Sequence, residues 1–159
     1  MLIQSMTEQD SLELLLRTSH GRLACAHEGQ PYIVPVTFAC DSNYLYSFST
    51  AGQKLTWMRK NPLVCVEMEE FATKVDWATV IVMGHFEELT ETPEYQEARM
   101  HAFDLLSLKT MWWEPGFVKT ILDGTERPLS KPTYFRILIK SISGHRGVSD
   151  TPTSQKHIA

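Results

Sequence analysis

The chain begins with a helical pattern and then turns almost entirely to strand patterns. Leu12, Leu15 and Leu16 recur at helical spacing behind Thr7, a residue type that caps helix starts, which predicts a first helix ending near Gly21. Apolar runs over residues 21–26 and 32–39 flank His27-Glu-Gly-Gln-Pro31, so a hairpin is expected around that loop. Asp41-Ser-Asn43 marks a second turn. Beyond it Tyr44, Tyr46 and Phe48 alternate with Leu45, Ser47 and Ser49, placing the aromatics on one face of a strand. Residues 52–60 fit a short helix that Asn61-Pro62 ends, because a residue before proline avoids helical backbone. Residues 63–69 and 77–89 read as strands, and Gly84 inside the longer one predicts a bulge or a close backbone approach. Thr92-Pro93-Glu94 starts a third helix with Tyr95, Ala98, Ala102 and Leu105 inward. Residues 134–142 alternate as a last strand, and residues 147–159 are polar and expected to be loose.

The order is helix, three strands, helix, two strands, helix, strand. Short, mostly antiparallel strands with few helices predict a mainly β protein, a small β-barrel with a few helices. The 159 residues suit one domain, taken as residues 1–146 with a C-terminal tail over 147–159.

Composition changes the picture in two ways. A net charge of -4 argues against nucleic acid as a partner. Three cysteines, Cys25, Cys40 and Cys65, are odd in number and lie in apolar strand runs, which disfavours a disulfide scaffold and fits a reducing, cytoplasmic setting. No run approaches the roughly 18 apolar residues of a membrane helix, and the first residues lack the basic and apolar blocks of a signal peptide.

Candidate chemistry concentrates in the turn after the aromatic strand. Ser49, Thr50, Gly52 and Lys54 bring hydroxyls, a glycine and an ammonium to a helix N-terminus, where free N–H groups and the helix dipole favour an anion. A plain polar cap with an exposed lysine is the competing reading, and the spacing is not that of a Walker motif. Pro35 cannot donate to a ladder and so marks an edge or bulge in its strand. Trp77 at the head of the longest strand is either a packing residue or an aromatic wall for a heterocycle. Adjacent Trp112 and Trp113 are candidates to cap a substrate pocket or reach a partner subunit. The six histidines show no paired ligand spacing, so no metal site is expected, and no nucleophile elbow is present.

Five stretches in this order, Gly21-Arg-Leu-Ala24, Pro31-Tyr-Ile-Val-Pro-Val-Thr-Phe38, Leu45-Tyr-Ser-Phe-Ser-Thr-Ala-Gly-Gln-Lys54, Asn61-Pro-Leu-Val-Cys-Val66 and Trp77-Ala-Thr-Val-Ile-Val-Met-Gly84, resemble the pyridoxamine 5'-phosphate oxidase-like flavoproteins. The nearest branch resembles the flavin-nucleotide-binding proteins related to nitroimidazole-resistance reductases. The resemblance spans about residues 15–145 and implies a split β-barrel of the FMN-binding type, a homodimer with FMN at its interface. Carried over by position, it implies that Ser49, Thr50 and Lys54 hold the phosphate, with Gly52 in the same turn. It also implies that Val36, Thr37 and Phe38 pass beside the flavin, and that Trp77, Thr79 and Val80 contact it, from the partner subunit in one version. Gln53 stands where many relatives carry a basic residue, and the substrate-phosphate arginines of true pyridoxamine phosphate oxidases are missing near the C-terminus. The implied function is an FMN-dependent oxidoreductase passing electrons from a reduced pyridine nucleotide to a small flat acceptor. The alternative is a non-catalytic carrier or sensor of FMN, haem or a deazaflavin, with His85 or His20 engaged in the haem case.

Overall fold

A computed structural model describes residues 1–109, 119–122, 125–128 and 131–149. Strand β1 (Leu2–Ser5) precedes helix α1 (Glu8–Arg17). Strands β2 (His20–His27), β3 (Gln30–Thr37), β4 (Ala39–Cys40) and β5 (Tyr44–Ser49) follow, then helix α2 (Gln53–Lys60). Strands β6 (Leu63–Thr73) and β7 (Asp76–Glu88) lead through a single 3-10 turn, Pro93–Tyr95, to helix α3 (Gln96–Ser107). The hairpin of β8 (Lys119–Leu122) and β9 (Thr125–Pro128) precedes β10 (Thr133–Val148).

The main sheet is antiparallel in the order β3-β2-β6-β7-β10-β5-β4. Phe38 alone separates β3 from β4, so both ends of that path are one stretch of chain. Its first part pairs with β2 and its last two residues with β5. The sheet therefore closes on itself. The Phe38 N–H donates to the Ser19 carbonyl at 2.7 Å, and the Ser47 hydroxyl donates to the Thr37 carbonyl at 2.8 Å. This is the expected split barrel, and closure removes the open edges that a sheet of this size would otherwise expose.

Strand β10 is the spine. One side runs along β7 from Phe135 to Gly147, while the other takes β5 first and β1 last. Both meanings of Gly84 hold. The β7–β10 register shifts between Ile139 and Ser141, opposite Gly84, and a Cβ on Gly84 would strike the Ile137 side chain and the Leu138 carbonyl. The β2–β3 turn places Glu28 and Gly29 at φ 50 and 78, the two positive values a tight hairpin requires.

The barrel interior holds Leu23, Val36, Phe38, Val64, Val66, Met68, Val80, Val82, Phe86, Phe135 and Ile137. Each large side chain so buried contributes about 1.5–3 kcal/mol. Helices α1 and α2 stopper opposite ends of it. Leu14 and Leu15 of α1 enter where Thr18 meets Met68 and Ser11 lies against Gly144. Leu55 and Met58 of α2 enter where Pro62 bonds Phe86 and Arg59 meets Glu88. Strand β5 is buried on both faces: Leu45 points into the barrel, whereas Tyr46 and Phe48 pack under α3.

The chain departs from the sequence reading at its edges. Helix α1 stops at Arg17, where the Thr18 hydroxyl donates to the Leu14 carbonyl. Strand β1 was not anticipated, and β10 runs on to Val148, two residues into the segment expected to be loose, because Ile3 and Trp77 flank Gly147 on either side. Residues 150–159 lie outside the described residues.

Candidate functional site

Strand β5 delivers Ser49 and Thr50 directly to the start of α2. Ser49 is buried, and its hydroxyl donates to the Thr50 carbonyl at 2.9 Å. Gly52 is the N-cap residue, with φ 172, an extended backbone open to any residue. A left-handed turn is therefore not what places a glycine here. A Cβ there would meet nothing within 4 Å, so the space beside Gly52 is free for something outside the chain.

The α2 N-terminus carries no compensating side chain among the described residues. No side chain caps it and its first turn holds no acidic residue. Helix α1 shows the contrast: the Thr7 hydroxyl accepts the Asp10 N–H, and Glu8 and Asp10 sit in the first turn. At α2 no side chain among the described residues compensates the first N–H groups and the positive end of the dipole. Lys54 stands there half-buried, with no hydrogen-bond or ion-pair partner among the described residues. Burial pushes its ammonium below the usual lysine range, and the nearby Cys25 thiol acts weakly against that. A partly desolvated cation at a bare helix start has one economical partner, an anion.

The rest of α2 lies along β2. Lys60 Nζ is 3.4 Å from His27 Nε2, and the Asn61 amide donates to the Ala26 carbonyl at 2.9 Å. Trp57 sits between, 5.9 Å from the His27 ring and edge-on to Tyr32 at 5.6 Å. Arg59 turns away and is neutralised by Glu88 through two hydrogen bonds, at 2.6 and 2.9 Å. The sequence reading named neither Trp57, His27 nor Tyr32 as part of this surface. The three-residue spacing of Lys54, Trp57 and Lys60 was the available signal.

On β3 the structure divides the candidates. Val36 and Phe38 are core side chains, so these two can meet a ligand only through backbone, while the buried Thr37 accepts the Ser47 hydroxyl at its carbonyl. Pro35 is exposed opposite Arg22 on a stretch of β3 that pairs with β2 alone, which explains how a proline is tolerated.

Trp77, Thr79 and Val80 lie at the other end of the barrel. Ser49 pairs with Thr133 and Trp77 with Gly147, fourteen positions apart on β10. That is about 45 Å measured along the strand at 3.3 Å per residue. Val80 is fully buried; Trp77 is half-buried and stacks on Phe71 at 6.3 Å. Trp77 borders a cleft of about 510 Å³ whose two bases are each paired, Arg17 with Glu70 and Arg146 with Asp10, while Glu13 and Asp76 add further acid to its lining. Within one copy, then, the turn at Lys54 and the Trp77 end lie against opposite stretches of β10. Trp112 and Trp113 lie outside the described residues. His20 and His85 are exposed, and among the described residues no group of three His, Cys, Asp or Glu is placed to hold a metal.

A family model described as pyridoxamine 5'-phosphate oxidase matches residues 7–146. The chain belongs to the pyridoxamine 5'-phosphate oxidase family. An uncharacterised protein of Rhizobium meliloti (strain 1021) is 41% identical over 121 residues, 76% of this chain and 80% of that one. The crystal structure of an FAD-binding protein from Mesorhizobium loti is 35% identical, with a TM-score of 0.76 over 93% of this chain and 98% of that one. A protein named for 5-nitroimidazole antibiotic resistance, from Bacteroides thetaiotaomicron VPI-5482, shares the fold at 17% identity, with a TM-score of 0.63 over 92% of this chain and 89% of that one. The family match covers β2, β3, the β5–α2 turn and β7, the elements that carried the resemblance.

Proposed function

We propose that this protein binds the flavin mononucleotide unit through the β5–α2 turn and works as an FMN-dependent oxidoreductase. The observation that carries the reading is Lys54: half-buried, without a partner among the described residues, at a helix start with no cap and no acid. The residues present fit a phosphate. Lys54 supplies the charge, the first N–H groups of α2 supply donors, Thr50 supplies a hydroxyl beside Ser49, and Gly52 leaves room for approach. The extended backbone at Pro35–Thr37 would lie beside the flat ring. FMN would supply the electron-transfer chemistry, taking electrons from a reduced pyridine nucleotide and passing them to a small flat acceptor. The chain's own part is to bind, orient and keep water from the ring.

The same reading makes the working unit a homodimer. Trp77 and Thr79 pair with Gly147 and His145, fourteen and twelve positions along β10 from the partner of Ser49, which supports their meeting a ligand held by another copy. A second copy, related by a twofold axis, brings its Trp77 end to the first copy's Lys54 turn and completes two equivalent sites. We place this dimer in the cytoplasm, in keeping with three unpaired cysteines, two of them buried.

The test is a visible absorption spectrum of the purified protein, followed by titration of the apoprotein with FMN and assay of NADH and NADPH oxidation with nitroaromatic and quinone acceptors. Flavin bands and acceptor-dependent turnover support the reading. Flavin binding without turnover of any acceptor leaves a carrier, and a protein that refuses added FMN ends the flavin reading.

A further inference from the structure

Ser47 is a polar side chain set in the core. It is 1% exposed, it lies opposite the fully buried Phe135 of β10, and it follows the fully buried Leu45 by two positions. Alternation turns Leu45 and Ser47 to the same side of β5, and Leu45 points into the barrel. A hydroxyl in that place loses its water and needs a partner. It donates to the Thr37 carbonyl at 2.8 Å; the Phe48 carbonyl, at 3.5 Å, lies beyond the ordinary range for such a bond.

The bond lies where the barrel closes. Ala39 and Tyr46 form the last rung of β4 against β5, and the chain just before that rung already pairs with β2. The Thr37 carbonyl stands between the two ladders, and the Ser47 hydroxyl takes the place of the missing rung. The N–H of the same peptide unit, that of Phe38, donates to the Ser19 carbonyl at 2.7 Å. A trans peptide is planar and its C=O and N–H point in opposite directions. This one unit is therefore held from β5 on one side and from the residue before β2 on the other. An apolar residue at position 47 would suit the surrounding core and would leave the Thr37 carbonyl without its donor.

We propose that Ser47 is a positioning residue for the flavin. It touches no ligand. It fixes the Thr37–Phe38 peptide, and with it the Pro35–Thr37 backbone that lies beside the ring in the flavin reading above, on which this inference rests. Backbone dipoles held rigidly beside a ring act unequally on its oxidised and reduced forms, which differ in charge and in hydrogen-bonding groups.

The experiment compares wild type, Ser47→Ala and Ser11→Ala as full-length proteins. It follows FMN affinity by calorimetry, the midpoint potential and visible spectrum of the bound flavin, and the melting temperature of the flavin-free protein. Ser11 is the matched control: it is equally buried at 1%, and its hydroxyl donates to the Thr7 carbonyl at 2.9 Å within α1, away from β3. Both variants are expected to melt at a lower temperature than the wild type. Only Ser47→Ala is expected to weaken FMN binding, by about tenfold, and to do so about threefold unequally for oxidised and reduced flavin, a shift of about 15 mV in the two-electron midpoint potential. Ser47→Cys keeps a weak donor in the same place and is expected to recover part of both losses. A Ser47→Ala protein that melts lower while its flavin keeps the wild-type affinity and potential overturns the proposal and leaves flavin binding standing. So does a Ser11→Ala protein that shifts both by as much. Should Ser47→Ala not fold, Ser47→Cys carries the test, and a wild-type affinity and potential in that variant overturns the proposal. A wild-type protein that binds no flavin overturns it together with the flavin reading.

Discussion

Replacing Lys54 by methionine separates the cost of the site from its use. Methionine keeps the apolar stem and removes the ammonium, so core packing around Leu55 and Met58 is preserved. In the ligand-free protein Lys54 is a half-buried cation whose pKa burial pushes down, which means the fold disfavours its charge. The folded-state value lies below the usual 10.5. Between the two values the unfolded chain binds more protons, and stability rises with pH as Lys54 loses its charge in the fold. The variant lacks that alkaline rise and, at neutral pH, is expected to be as stable as the wild type or more stable by up to about 1 kcal/mol, the low end for an unsatisfied buried polar group. Binding moves the other way. A charge-assisted contact to phosphate is worth about 1.5–3 kcal/mol, so FMN affinity is expected to fall about 10- to 150-fold. Urea melts of the flavin-free protein at pH 7 and pH 10, with calorimetric titration of FMN, measure both halves. Unchanged FMN affinity, or destabilisation of the ligand-free variant by more than about 1 kcal/mol, would refute the argument, because Lys54 would then be a structural residue with a partner in the fold.

Four further outcomes are expected. Mixing Lys54→Met with Trp77→Ala is expected to restore about a quarter of the flavin sites through hybrid dimers; a mixture no better than its parents, with subunit exchange verified, would place the whole site in one copy. Gly84→Ala is expected to cost about 1–3 kcal/mol in urea unfolding, because the new methyl meets Ile137 and the Leu138 carbonyl opposite the β10 bulge. Leu14→Ala, at a fully buried position in the α1 stopper, is expected to cost about 2–5 kcal/mol by the same assay. Asp41 is partly buried, which alone would raise its pKa, but the Asn43 and Tyr44 N–H groups, with Tyr46 and His101, hold it below its usual 3.8. Its contribution is therefore complete above that value and lost as pH falls through the lower folded one; an Asp41→Asn variant is expected to show a shallower acid limb in a melting-temperature profile over pH 2–6.

Much of the fold is readable in the chain because the relevant physics is local. The alternation of Tyr44, Tyr46 and Phe48, the Asn61-Pro62 stop and the glycine in the β2–β3 turn each act within a few residues, and the corresponding elements form where expected. Strand β1 and the last residues of β10 were not readable. Leu2 and Ile3 are exposed and carry no core-facing alternation, and they become a strand only because β10 offers them its outer edge. Strand β4 is too short for any pattern and exists because barrel closure puts Ala39 and Cys40 against β5.

For the site, the sequence by itself determined the ingredients: hydroxyls, a glycine and a lysine at the head of a helix, a proline in a neighbouring strand, and an aromatic at the head of the longest strand. Their chemistry follows from residue type and spacing, which the order of the chain preserves. Only the tertiary structure decided which of them are free. It buries Phe38 and Val80 in the core, pairs Arg59 with Glu88, leaves Lys54 without a partner among the described residues and brings Lys60 to His27. It also puts Trp77 at the far end of β10 from Ser49. Burial and ion pairing depend on residues distant in sequence, so a lysine's freedom or a tryptophan's reach is a property of the closed barrel and of no single stretch of chain.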